Sequence, residues 1–143
     1  MSSHLLVFLL SATTATTVLA QESALEVSLA GIQHDRGSLR VGLYSDPKTF
    51  RKEAQAVAIQ QVPASAGTVT VSFGALPPGR YAIMVYHDED GNGELNRRFG
   101  MFPTEGYGLS NNPTVSGPPA FADSAFEVAA GAGTARISID LRY

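Results

Sequence analysis

The sequence predicts an all-β fold: a single antiparallel β-sandwich of about seven strands, transthyretin-like or immunoglobulin-like, with one short helix and one long ordered loop. Three observations predict it. Four segments alternate strictly between apolar and polar residues, one run is apolar on both faces, and clusters of Gly, Pro, Asp and Asn punctuate the chain between them.

Taken in order, residues 1–20 read as an export signal. Leu5 to Leu10 is an apolar run, a Ser/Thr/Ala stretch follows, and small residues at Val18 and Ala20 sit where cleavage before Gln21 requires them. The segment ahead of the run carries His4 and no Lys or Arg. The run is far shorter than the roughly 20 apolar residues that span a bilayer, and no second candidate span follows. The expectation is therefore a secreted or periplasmic protein with residues 21–143 as one domain and no membrane span after signal removal.

In the first strand Leu25, Val27 and Leu29 alternate with Glu26, Ser28 and Ala30. In the second, Leu39, Val41 and Leu43 alternate with Ser38, Arg40 and Gly42. Pro47 to Ala54 reads as the short helix, with Asp46 as N-cap and Pro47 in the first position. Gln55 to Val62 is a weaker strand, and Val69, Val71 and Phe73 alternate with Thr68, Thr70 and Ser72. Tyr81 to Tyr86, apolar throughout, is the expected central strand. Arg97 to Ala120, rich in Gly and Pro, carries no clear helix or strand. Its Phe99, Met101, Phe102, Tyr107 and Leu109, with Phe121 just beyond, are apolar anchors that favour an ordered loop over disorder. Ser124 to Ala129 and the alternation of Ile137, Ile139 and Leu141 complete the set.

Composition excludes several functions. The chain has 143 residues and no cysteine, so it holds neither a disulfide framework nor a thiolate zinc site. Its net charge is −3, with basic residues scattered, so no continuous positive track is available for nucleic acid.

The sharpest chemical signal is Asp88-Glu89-Asp90-Gly91-Asn92-Gly93-Glu94-Leu95-Asn96. Calcium takes about six to eight oxygens, and Asp88, Asp90 and Asn92 hold positions one, three and five of a tight turn, with Gly93 next. Glu94, at position seven, offers its carbonyl. Position twelve, where an EF-hand carries its bidentate Glu, is Phe99, and a strand rather than a helix precedes the loop, so this is not an EF-hand. A closing carboxylate must come from elsewhere, from Glu105 or Asp123. The competing reading is a solvated strand-end turn whose glycines adopt left-handed conformations.

His87 lies beside this loop and reads either as a general base or metal ligand paired with Asp88 or Glu105, or as a histidine capping the core. Ser110 lies in Gly108-Leu109-Ser110-Asn111-Asn112-Pro113, without the GxSxG elbow that activates a serine nucleophile. Phe102 and Tyr107 could stack on a sugar or peptide, and with Ser110 and Asn111 they form the candidate ligand-binding set.

The ordered string His87-Asp88, Asp90-Gly91-Asn92-Gly93-Glu94-Leu95-Asn96, Pro103 to Asn112 and Pro119 to Phe126 resembles the domain-of-unknown-function 2141 family of exported bacterial proteins. The resemblance extends over roughly Leu25 to Leu141 and implies a bacterial exported β-sandwich with no established activity. It also joins the acidic loop to Glu105 and to Ser110-Asn111-Asn112 as parts of one pattern. The chain departs from the family at Asn96, often Asp, and at Met101, where a glycine is usual. The phrase Leu76-Pro77-Pro78-Gly79-Arg80-Tyr81 resembles the turn before a core strand in transthyretin-like and collagen-binding-type sandwiches. The expected function is a binding or surface-accessory module with a calcium-organised loop, its ligand a small molecule, glycan or protein. The alternatives are a hydrolytic enzyme using His87 with a nearby carboxylate and a purely structural domain.

Overall fold

A computed structural model describes residues 22–143; the expected export signal falls outside the described residues. The strands are β1 (Ser23–Ile32), β2 (Ser38–Tyr44), β3 (Ala58–Pro63), β4 (Gly67–Leu76), β5 (Gly79–Asp88), β6 (Arg97–Arg98), β7 (Phe102–Pro103), β8 (Tyr107–Leu109), β9 (Phe126–Val128) and β10 (Thr134–Asp140), with one short helix, α1 (Phe121–Ser124). One sheet has the order β10-β1-β4 and the other β3-β2-β5-β8, with β9 also paired to β5. The expected all-β sandwich is present. All pairings are antiparallel except β1 with β10, which run parallel.

Alternation places one face of each strand between the sheets. Leu25, Val27 and Leu29 from β1, Leu39, Val41 and Leu43 from β2, and Val71 and Phe73 from β4 meet Tyr81, Ile83 and Val85 there. These side chains leave water almost completely, and burial of each Leu, Ile, Val or Phe contributes about 1.5–3 kcal/mol. The uniform apolarity of β5 has its cause on the opposite face. Ala82, Met84 and Tyr86 point away from the first core into a second one, formed with Tyr44, Phe50, Leu95, Leu109 and Phe121. The second sheet is thus covered by connecting segments. Phe50 stands edge-on to both Tyr44 and Phe121, at centroid distances of 5.5 and 5.8 Å.

The helix expected over Pro47 to Ala54 does not form. Asp46 does cap a turn, its Oδ1 accepting the Lys48 N–H at 2.8 Å and its carbonyl the Phe50 N–H at 3.1 Å. Arg51 then takes φ +68°, which ends the turn after one winding, and a 3-10 turn over Glu53–Gln55 leads into β3. Phe50 is thereby delivered to the second core. The segment Arg97 to Ala120 holds more regular structure than its sequence suggests: β6 and β7 form a small hairpin, and β8 joins the second sheet. The strand expected from Ser124 is reduced to β9, because α1 occupies its start.

Candidate functional site

β5 ends in the acidic loop, and alternation turns its last two side chains to opposite sides: His87 toward the inner core, Asp88 toward the loop. Asp88 is 2% exposed. Its Oδ1 accepts the Asn92 N–H at 3.1 Å and its Oδ2 the Gly93 N–H at 2.9 Å, so the carboxylate curls the loop around itself. Gly93 has φ +76°, as a turn this tight demands. Asp90 accepts the Asn96 amide on Oδ2 at 2.8 Å and shares the Asn92 N–H on Oδ1. The Asn96 bond is the main reason that the Asp90 carboxyl titrates below its ordinary value. Asn92 uses its side-chain oxygen to accept the Glu94 N–H and its amide to donate to Asn96.

Glu105 comes from the long loop, between β7 and β8, and closes this structure. It is 4% exposed, and its two oxygens accept the Glu89 and Asn96 N–H groups, each at 3.0 Å. One oxygen from each of Asp88, Asp90 and Glu105 lies within 4.8 Å of the others. Oxygens on opposite sides of a calcium ion are separated by about the same distance, because each bond is about 2.4 Å. A carboxylate has about four acceptor sites, and Asp88 and Glu105 each use two on backbone N–H groups. No Lys or Arg among the described residues forms an ion pair with any of the three. The donor set therefore fits a hard cation. The Glu94 side chain is exposed and stands outside this convergence, and Asn92 has its side-chain oxygen engaged within the loop.

His87 forms no bond to either acid. Its ring is fully buried, with Nε2 2.6 Å from the Arg36 carbonyl and Nδ1 2.7 Å from the Tyr143 hydroxyl. A carbonyl only accepts, so Nε2 carries the proton and Nδ1 accepts from Tyr143. His34 packs on this ring at 4.5 Å between centroids and bonds Glu89 at 2.9 Å. Oxygen and nitrogen atoms of His34, His87 and Glu89 also lie within 4.8 Å of one another, but both His87 nitrogens are occupied. The pairing of His87 with Asp88 or Glu105 is corrected accordingly: strand alternation separates them. Nothing in the local sequence marks Tyr143 as the partner, because it arrives from the far end of the chain.

The ligand-binding set does not assemble as a groove. Ser110 is fully buried, and its hydroxyl accepts the Ile83 N–H at 2.9 Å and donates to the Ser124 carbonyl. Its place in that set is corrected: it completes the backbone pairing of β5 and presents no surface. Asn111 donates to the Ala125 carbonyl at 2.6 Å, between α1 and β9, and Asn112 accepts the Asp140 N–H at 2.8 Å, tying the loop to β10. Tyr107 is half-buried beneath Arg142, whose guanidinium lies 5.7 Å from the ring centroid. Of the four, Phe102, at 60% exposure, and Asn111 are exposed, and Phe102 is the one that presents a large apolar surface. A cleft of about 220 Å³ does open beside the acidic loop, lined by Arg40, Tyr44, Glu53, Tyr86 and Glu94 among others. Within it Arg40 forms an ion pair with Glu53, and the Tyr86 hydroxyl donates to the Gly93 carbonyl at 2.8 Å.

The profile of a family described as an uncharacterized protein conserved in bacteria, DUF2141, matches residues 27–136, and the chain belongs to that family. No curated protein and no solved structure matches the chain.

Proposed function

We propose that this family member is an exported accessory module, secreted or periplasmic, whose acidic loop takes a calcium ion and thereby presents a binding surface. One observation carries the reading: the convergence of the Asp88, Asp90 and Glu105 carboxylates, two of them buried and none neutralised by a basic side chain. Three like charges this close repel one another, and a divalent ion converts that repulsion into attraction. Because Glu105 belongs to the long loop and Asp88 to β5, the ion ties the loop to the sandwich. The surface formed by the loop then becomes a defined shape for a small molecule, glycan or protein.

Extracellular calcium modules bind with dissociation constants of about 0.1 to 1 mM. At tenfold excess over such a constant the ion adds about 1.4 kcal/mol of stability. A thermal melt titrated with calcium is expected to rise by about 4–6 °C and to return on addition of EDTA. An unchanged melt, together with no heat of binding by calorimetry up to about 10 mM calcium, would sink the proposal.

A further inference from the structure

The hairpin of β6 and β7 projects the most exposed apolar side chains among the described residues. Phe99 is 83% exposed, Met101 67% and Phe102 60%, within four consecutive positions. Its turn is unusual. The Met101 N–H returns to the Arg98 carbonyl at 3.2 Å, and the two residues between them both have positive φ, +55° at Phe99 and +67° at Gly100. Turns of this hand favour Asn, Asp or Gly at both central positions, so an aromatic residue at the first is held against its own backbone preference. No packing within the domain compensates, because the ring stands in water. Arg97 and Arg98 flank the tip, are both exposed, and form no ion pair among the described residues.

We propose that this tip is a membrane-docking element that inserts Phe99, Met101 and Phe102 into the interfacial region of an anionic lipid surface, with Arg97 and Arg98 on the phospholipid headgroups. The partner follows from shape and charge. The tip is convex, and a protein partner would need a pocket made to fit it, whereas a bilayer interface accepts an apolar wedge of any outline. Phe and other apolar side chains are what peripheral elements bury at the headgroup and acyl boundary, and a pair of guanidinium groups at its edge complements anionic headgroups in an otherwise acidic protein. No helix of the described residues is long and apolar enough to cross a membrane. The base of the hairpin is anchored to the acidic loop, where the Thr104 N–H donates to the Asn96 carbonyl at 2.8 Å. The inference rests on the tip and needs no bound ion.

Co-sedimentation with vesicles of mixed phosphatidylglycerol and phosphatidylcholine, against vesicles of phosphatidylcholine alone, tests it. The protein is expected to sediment with the anionic vesicles in EDTA as well as in calcium, which separates this proposal from the fate of the ion site. Phe99→Asn with Phe102→Ser should lower partitioning by about a hundredfold or more, and Arg97→Glu with Arg98→Glu by about tenfold or more. Asn suits the positive φ of position 99, so the first variant keeps the fold, as an unchanged or higher melting temperature will show. Met101→Ser alone gives the same direction with a smaller loss. Three outcomes overturn the proposal: a protein that stays in the supernatant with both vesicles, vesicle binding that the aromatic variant leaves intact, or Phe99-dependent self-association without lipid binding, which would mark the tip as a protein interface.

Discussion

Ser110 stands in for a strand residue opposite Ile83: its N–H donates to the Ile83 carbonyl at 3.0 Å, and its Oγ accepts the Ile83 N–H at 2.9 Å. The reason lies in the edge of β5, where β9 pairs with Gly79 to Tyr81 and β8 with Met84 to Tyr86, leaving a gap between them. Ser110→Ala leaves a buried N–H without an acceptor. We expect a loss of about 1–3 kcal/mol in urea unfolding, with no change in any calcium response.

Glu105→Ala orphans the Glu89 and Asn96 N–H groups and removes one of the three converging carboxylates. It should destabilise the protein by about 1–3 kcal/mol without calcium and flatten the melting shift produced by the ion. Glu105→Gln retains an acceptor oxygen, so it should keep more of the stability yet lose most of the calcium response. Equal calcium responses in both variants and the wild type would remove Glu105 from the ion site.

Asp90 is tuned chiefly by Asn96. Its carboxyl ionises more readily in the folded protein than in the unfolded chain, so its contribution is present at neutral pH and is lost as pH falls through the depressed folded value. Asn96→Ala should return the Asp90 carboxyl toward the ordinary carboxylate range, seen in the side-chain carbonyl shift by NMR. Asn96→Asp replaces the donor with a second negative charge. It should raise the Asp90 pKa and strengthen calcium binding, since affinity follows ligand charge.

At the alkaline end Tyr44 and Tyr86 govern together. Burial pushes its phenol up to about 12, and the Tyr86 phenol is raised further for the same reason, with Glu53 reinforcing both shifts. A folded pKa above the unfolded value means stability that is intact below about pH 10 and falls from there toward pH 12. Tyr44→Phe should shallow that fall, and ultraviolet difference titration should show one fewer late-ionising tyrosine.

Much of this architecture was legible because period-two alternation reports a half-buried strand directly: Leu25, Val27 and Leu29 point inward as their spacing requires. The apolarity of both faces of β5 correctly marked a central strand, although not what covers its outer face. Phe50 and Phe121 reach that face from distant segments, and no local period encodes such a meeting. The Asp46 cap was legible as a start signal, while the positive φ at Arg51 that ends the turn had no residue signature. At the site, Asp88, Asp90 and Glu105 do converge: loop spacing suggested the first two, and Glu105, named beside Asp123 as a closing carboxylate, was tied to the loop by the longer pattern. The bond of His87 to Tyr143 spans 56 positions and left no mark in the sequence near either residue. The left-handed Phe99 was equally hidden, since conformation there opposes residue preference.

The parallel pairing of β1 with β10 sets an order of events. β1 lies in the middle of its sheet, with β4 on one side and β10 on the other, and the register joins Ala24 to Thr134. The pairing of β1 with β4 can therefore form before β10 arrives, but the sheet cannot be finished until β10 is free to pair. Pairing at such sequence separation is slow, because the loop must close before any contact rewards it. The chain thus has an interval in which β1 is available but only half sheltered, and β10 is the strand that completes the sheet.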